Sequence, residues 1–128
     1  MSMDSRHIDD RAIGQIGLLM AAQELMKAGY QVAVPLVDVG YDLVAMKDCR
    51  LWRIQVKATA RTGSKSNRVR ARRGVSKANS YTAEHCDAIV AVHIRRNAIV
   101  CMTLEQLNGR LWISFHDASC AKPFDALQ

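Results

Sequence analysis

Three polar residues, Asp42, Gln55 and Lys57, lie where two neighbouring predicted strands can bring them together. Gln55 and Lys57 are two positions apart in the predicted strand 51–59, so their side chains leave the same face of that strand. The predicted strand 41–46 precedes it, and the short polar turn between the two strands allows Asp42 to lie opposite them. A carboxylate, an amide oxygen and an ammonium group would then converge on one spot.

Such a cluster suits the metal-dependent hydrolysis of a phosphodiester. Mg²⁺ or Mn²⁺ prefers hard oxygen ligands, which the Asp42 carboxylate, the Gln55 side chain and the backbone carbonyl of Val56 can supply. The metal would polarise the phosphate and acidify a bound water. Lys57 would orient that water or stabilise the transition state as a point charge. The simpler alternative is a solvated strand face on which Asp42 pairs with Lys57.

The segment 61–79, which begins shortly after Lys57, is strongly basic. The number of its lysines and arginines exceeds the formal net charge of +6 of the whole chain, so the excess positive charge is concentrated in this segment. Glycines and serines favour a loop, with a brief strand over 68–72. We predict that this segment neutralises DNA backbone phosphates beside the site, and the alternative is a solvated loop without a partner. The predicted contacts are Arg61, Lys65, Arg68, Arg70, Arg72, Arg73 and Lys77.

The elements around these residues predict an α/β fold with a mixed central β-sheet flanked by helices. The first is a helix over 9–29 with an aspartate cap and a glycine stop. Gly14 and Gly17 inside it indicate a close approach to a strand or a ligand. Beyond the two strands already described, we predict a strand over 31–37, a short helix over 79–85, a strand pair over 87–94 and 98–102, a short helix capped by Thr103, and a last strand over 111–115.

The composition predicts one ordinary globular domain spanning 1–128, because 49% of the residues are hydrophobic and 23% are charged. The four cysteines lack the spacing of a zinc site, and they are assigned to the core together with Trp52 and Trp112. Tyr81 is a candidate phosphate contact. The charged N-terminus and the lack of a long apolar stretch predict a cytoplasmic protein without a signal peptide or a membrane span.

Two short motifs, GYDLV at 40–44 and IQVK at 54–57, resemble the central motif of the PD-(D/E)XK nuclease superfamily. The glutamine in place of the usual acid is similar to the group I intron-encoded homing endonucleases of that superfamily. The resemblance implies a restriction-endonuclease-like core, a Mg²⁺ or Mn²⁺ cofactor, and duplex or branched DNA as the substrate. It also implies a homodimer or homotetramer, and the short apolar C-terminal region is a candidate for the subunit contact.

One position departs from the family pattern. The family usually places a glutamate on the first helix, just after the glycine that matches Gly17, and this chain has Leu18 there. A leucine cannot bind a cation, so we expect weaker metal affinity. Gln15 and Asp38 are candidate substitutes, although a helix-surface amide and a turn-capping aspartate are the simpler interpretations. Besides an active endonuclease, two functions therefore stay open: a catalytically weakened relative that binds DNA without cutting it, and a protein-interaction module.

Overall fold

The helices and strands are given for residues 7–63, 67–73, 80–116 and 123–127, which the computed structural model describes. None of the described helices is long and apolar enough to span a membrane. In chain order the elements are α1 (Asp10–Lys27), β1 (Gln31–Ala33), β2 (Leu43–Lys47), β3 (Arg50–Thr59), β4 (Arg68–Arg70), β5 (Ala88–His93), β6 (Ala98–Thr103), α2 (Leu104–Leu107), β7 (Trp112–Ser114) and a 3-10 helix, Pro123–Leu127.

The helix α1 has the aspartate cap and the glycine stop that the sequence predicts, and it covers Asp10–Lys27 within the predicted range 9–29. Asp9 is its N-cap, and the Asp9 side chain accepts a hydrogen bond from a backbone amide of the first turn at 2.8 Å. Gly29 follows the last turn with a φ of +95°, a conformation that favours glycine. Gly17, Ala21 and Leu25 are buried at four-residue spacing, so one stripe of the helix faces the sheet.

The large sheet has the strand order β1-β2-β3-β5-β6. The first three strands form an antiparallel meander, β5 joins β3 in parallel, and β6 pairs with β5 in the antiparallel sense. This topology confirms the predicted mixed sheet. The helix α1 and the 3-10 helix share one core with the sheet, in which Phe124 and Leu127 are buried beside Leu25 and Ile54. Those two C-terminal side chains are therefore unavailable for the predicted subunit contact.

A small antiparallel sheet of β4 and β7 covers a second core on the large sheet. Val69 and Ile113 are buried there together with Ile89 of β5. On the other face of the small sheet, Arg70 is paired with Trp112 and both side chains are exposed. The structure thus confirms the brief strand predicted in the basic segment and the last predicted strand.

Two predicted elements differ from the structure. The strand predicted over 31–37 ends at Ala33, because Pro35 has no N–H to donate to a neighbouring strand. The short helix predicted over 79–85 is wrong for the described residues 80–85, in which Ser80 forms a β-bridge and a single turn closes over 82–85. In that turn the Thr82 amide donates to Nδ1 of His85 at 3.0 Å, so a side chain replaces the backbone acceptor that a helix would require.

Trp112 is not the core residue that the sequence predicts, since 38% of it is exposed. Ile113 and Phe115 take the inward positions of this segment and are buried. A strand alternates its side chains between two faces, so Trp112 must point away from the core. That alternation was visible in the sequence and is the signal that could have identified Trp112 as a surface residue.

Candidate active site

The structure brings Asp42, Gln55 and Lys57 together where β2 begins. The register of β2 and β3 pairs Leu43 with Ile54, so Asp42, one residue earlier, lies opposite Gln55. The Asp42 amide donates to the Ile54 carbonyl at 2.9 Å, which continues the ladder by one hydrogen bond. Gln55 and Lys57 are both half-buried, on the face of β3 opposite the core residue Ile54.

The Asp42 carboxylate is half-buried and held in one orientation. Its Oδ2 accepts a hydrogen bond from the Val56 amide at 2.8 Å, whereas its Oδ1 accepts none from the described residues. Burial raises the pKa of Asp42 above its ordinary value, although the Val56 amide and the Lys57 ammonium oppose this rise. The protein therefore compensates this negative charge only in part, and a cation would complete the compensation.

The carbonyl of Val56 lies on the same side of β3 as this carboxylate. The amide and the carbonyl of a strand residue point toward the same neighbouring strand, and the Val56 amide points to Asp42. The carbonyl therefore faces the side of β2 as well. Together with the Gln55 amide oxygen, these groups are hard oxygen donors with one negative charge, and they fit Mg²⁺ or Mn²⁺.

Two further carboxylates lie near the site, and each accepts hydrogen bonds from groups outside it. Asp87 forms a bidentate pair with the Arg53 guanidinium, with N···O distances of 2.9 and 3.1 Å. The Arg53 side chain is the main cause that lowers the pKa of Asp87. Asp38 accepts a hydrogen bond from the Gly40 amide at 3.0 Å, which confirms that it caps the turn. Within the part of the chain that the structure describes, no three His, Cys, Asp or Glu side chains form a metal-binding cluster.

The first helix adds no acid to the site. Leu18 is half-buried and packs against the core between α1 and the sheet, and Gln15 is exposed on the helix surface. Gly17 lies against β3 so closely that a Cβ on it would overlap the Cβ of Ala58, which confirms the predicted close approach to a strand. Gly14, by contrast, has open space around it.

Lys57 is near both Asp42, whose rise in pKa it opposes, and the ring of Tyr81. Its Nζ is 5.3 Å from the centroid of the Tyr81 ring. Burial lowers the pKa of Lys57, and the Asp42 charge opposes this change. Burial also raises the pKa of Tyr81 to about 12, so its hydroxyl stays protonated at neutral pH. Asp42 and Lys57 are both half-buried and do not form one of the ion pairs of the described residues. The two charges nevertheless act on each other, since each one shifts the pKa of the other.

A cationic cleft of about 300 Å³ opens beside Lys57. No acidic residue is among its described lining residues, so its electrostatic potential favours an anion. Of the seven predicted cations, Arg73 is outside the lining and donates from Nε to the Ser80 carbonyl at 3.5 Å. Lys65 and Lys77 are not among the described residues. The lining consists of Lys57, Ala58, Thr59, Arg61, Arg68, Val69, Arg70, Arg72 and Trp112.

The mixed sheet, the aspartate at the start of β2 and the Gln-x-Lys pair on β3 define a restriction-endonuclease-like α/β fold. The chain belongs to the PD-(D/E)XK endonuclease family, whose sequence profile matches residues 8–110. Its fold is similar to that of I-Ssp6803I, a bacterial homing endonuclease, with a TM-score of 0.69 and 23% sequence identity over 84% of this chain and 78% of that chain. No curated protein matches the sequence. These findings confirm the fold class and the family resemblance.

Proposed function

We propose that the protein is a metal-dependent DNA endonuclease whose catalytic residues are Asp42, Gln55 and Lys57. The observation that carries this proposal is the half-buried Asp42 carboxylate, which the Val56 amide orients opposite Gln55 and beside Lys57. Asp42, Gln55 and the Val56 carbonyl would hold Mg²⁺ or Mn²⁺. The bound metal would polarise the scissile phosphate and acidify a water.

Other groups of the protein orient the metal ligand, supply positive charge at the scissile phosphate and bind the neighbouring phosphates. The Val56 amide restrains the carboxylate of Asp42, so this ligand is oriented before the substrate arrives. The Lys57 ammonium lies in a half-buried position, where its charge acts more strongly on a phosphate than it would in water. The Tyr81 ring stabilises that ammonium by a cation–π contact. The cationic cleft then binds backbone phosphates on either side of the scissile bond in duplex or branched DNA.

Cleavage of plasmid and branched DNA in Mg²⁺ or Mn²⁺ tests the proposal. Lys57→Ala should lower the rate about 100-fold or more, the scale for removing one group that stabilises the transition state. Lys47→Ala is the matched control, because Lys47 also lies over a tyrosine ring, that of Tyr30 at 5.0 Å, but outside the site. Metal-dependent cleavage that survives in Lys57→Ala as well as in Lys47→Ala would contradict the assigned role of Lys57.

A second candidate function, DNA binding without cleavage, is favoured by Leu18. The position where the family has a glutamate carries here a leucine that packs against the core, so the site has one anionic ligand among the described residues. If this reduces activity, Leu18→Glu should increase cleavage per folded molecule, with the folded fraction measured by circular dichroism because the new carboxylate replaces a side chain packed against the core. Leu19→Glu is the control, because Leu19 is 60% exposed on the same helix. An equal response of both variants would count against Leu18 as the position of the missing acid.

The assembly is proposed as a homodimer or homotetramer from the family resemblance. A two-fold assembly would present two sites to the two strands of a duplex, since related subunits place identical surfaces symmetrically. Light scattering at micromolar concentration gives the mass directly. A monomer that cleaves both strands would contradict this assembly.

A further inference from the structure

The exposed face of the small sheet places two arginines over one tryptophan. Arg70 is directly opposite Trp112 in the β4–β7 pair, and Arg68, two residues earlier, is its diagonal neighbour on the same face. The guanidinium carbon of Arg68 lies 4.0 Å from the centroid of the Trp112 ring, and that of Arg70 lies 5.7 Å from it. All three residues line the cleft beside Lys57.

The two arginines keep their full positive charge in this arrangement. Neither forms an ion pair with a carboxylate among residues 7–63, 67–73, 80–116 and 123–127. Both arginines line the same cleft as Lys57, so their charge acts beside the site. An acid would orient a guanidinium but neutralise it, whereas an indole ring orients it and leaves the charge available.

We infer that Trp112 is a positioning residue for DNA: it holds the Arg68 and Arg70 guanidinium groups in the cleft, ready for backbone phosphates next to the phosphate at Lys57. This inference rests on the proposed function, because it assigns the cleft to DNA. The Arg68 guanidinium at 4.0 Å covers one face of the Trp112 ring, so that face is not open to a stacked base. Preorganised arginines lose less side-chain entropy when they bind, so their phosphate contacts become tighter.

Equilibrium binding to a short DNA duplex in EDTA, measured over a series of salt concentrations, tests the inference without cleavage. Trp112→Ala should weaken binding about threefold to tenfold, the scale of one or two exposed cation–π contacts. It should leave the salt dependence nearly unchanged, because both charges remain. Arg68→Gln/Arg70→Gln should lower the slope of log K against log salt by about two. Arg50→Gln is the charge control, since Arg50 lies over Trp52 at 4.9 Å and outside the cleft.

The decisive comparison is Trp112→Ala in the Arg68→Gln/Arg70→Gln background. A residue that acts through the arginines should cause no further loss there. The same loss in both backgrounds would show that Trp112 contacts DNA itself and would overturn the inference. Trp112→Phe should retain most of the affinity, and Trp112→Leu, which keeps apolar bulk without a ring, serves if the alanine variant unfolds.

The result for the wild type separates this inference from the proposed function. Wild-type binding that Trp112→Ala and Trp112→Leu leave unchanged would overturn the positioning role alone, and the nuclease proposal would stand. Absence of wild-type binding at low salt would overturn both, because the cleft would then not be a DNA-binding surface. Such a result would favour the protein-interaction module instead.

Discussion

Gly14 and Gly17 lie one turn apart on α1, and their surroundings predict opposite effects of the same substitution. An alanine in a helix interior is more favourable than a glycine by about 0.5–1 kcal/mol. A Cβ on Gly14 meets nothing within 4 Å, so Gly14→Ala should stabilise the protein by about this amount. A Cβ on Gly17 would overlap the Cβ of Ala58, so Gly17→Ala must displace α1 from β3.

The net effect at Gly17 combines two terms. Overpacking a tightly packed contact costs about 1–3 kcal/mol, and the helix-propensity gain offsets part of this cost. We therefore expect Gly17→Ala to destabilise the protein by about 1–2 kcal/mol and to differ from Gly14→Ala by about 1.5–3 kcal/mol. For a chain of 128 residues, a difference of this size separates the two Tm values by about 6–12 °C.

Urea unfolding followed by circular dichroism measures both free energies of unfolding under the same conditions. Ala58→Gly completes a double-mutant cycle with Gly17→Ala, because removing the methyl group of Ala58 should restore much of the stability that Gly17→Ala loses. If Gly17→Ala stabilised the protein as much as Gly14→Ala does, α1 would not lie against β3 at this point. The placement of Leu18, the next residue of the helix, would then be refuted too.

Three further predictions concern the charges of the site. Burial raises the pKa of Asp42, so the folded protein binds the carboxyl proton of Asp42 more tightly than the unfolded chain does. The ionised carboxylate therefore destabilises the fold fully at a pH above the folded pKa and not at all well below 3.8, the ordinary pKa of an aspartate. Asp42→Asn should therefore unfold at higher urea than the wild type at pH 7 but not at pH 3, and an equal difference at both pH values would contradict the assignment. Mg²⁺ or Mn²⁺ at about 100 times its dissociation constant should stabilise the wild type by about 2.7 kcal/mol and leave Asp42→Asn unchanged in a thermal-shift assay, whereas equal shifts would exclude Asp42 as a ligand. The Arg53 side chain lowers the pKa of Asp87, so this pair stabilises the protein above pH 3.8 and less as the pH falls through the folded pKa. Asp87→Asn should lower the free energy of unfolding by about 1–2 kcal/mol at neutral pH, as measured by urea unfolding. This value is reduced because both side chains are partly exposed. An unchanged free energy of unfolding would mean that the pair does not stabilise the fold.

Much of the fold around the site was predictable because the relevant signals are local. The cap and the glycine stop of α1 are adjacent to the helix that they bound. The short polar turn before β3 sets the register that places Asp42 opposite Gln55. Residues 80–85 do not form the predicted helix, because Thr82 and His85 bind each other through their side chains and local propensity does not reveal such bonds.

By itself, the sequence determined that Gln55 and Lys57 share a face and that Asp42 lies across from them, since a strand has a two-residue period and a short turn leaves few registers. Only the tertiary structure decided what surrounds these side chains. In the structure, Asp87 forms an ion pair with Arg53. The strands β4 and β7, which are far apart in the chain, pair with each other, so that arginines and Trp112 line one cleft. The physical reason is that periodicity identifies the residues of a face, whereas the partner that covers this face depends on packing between distant segments.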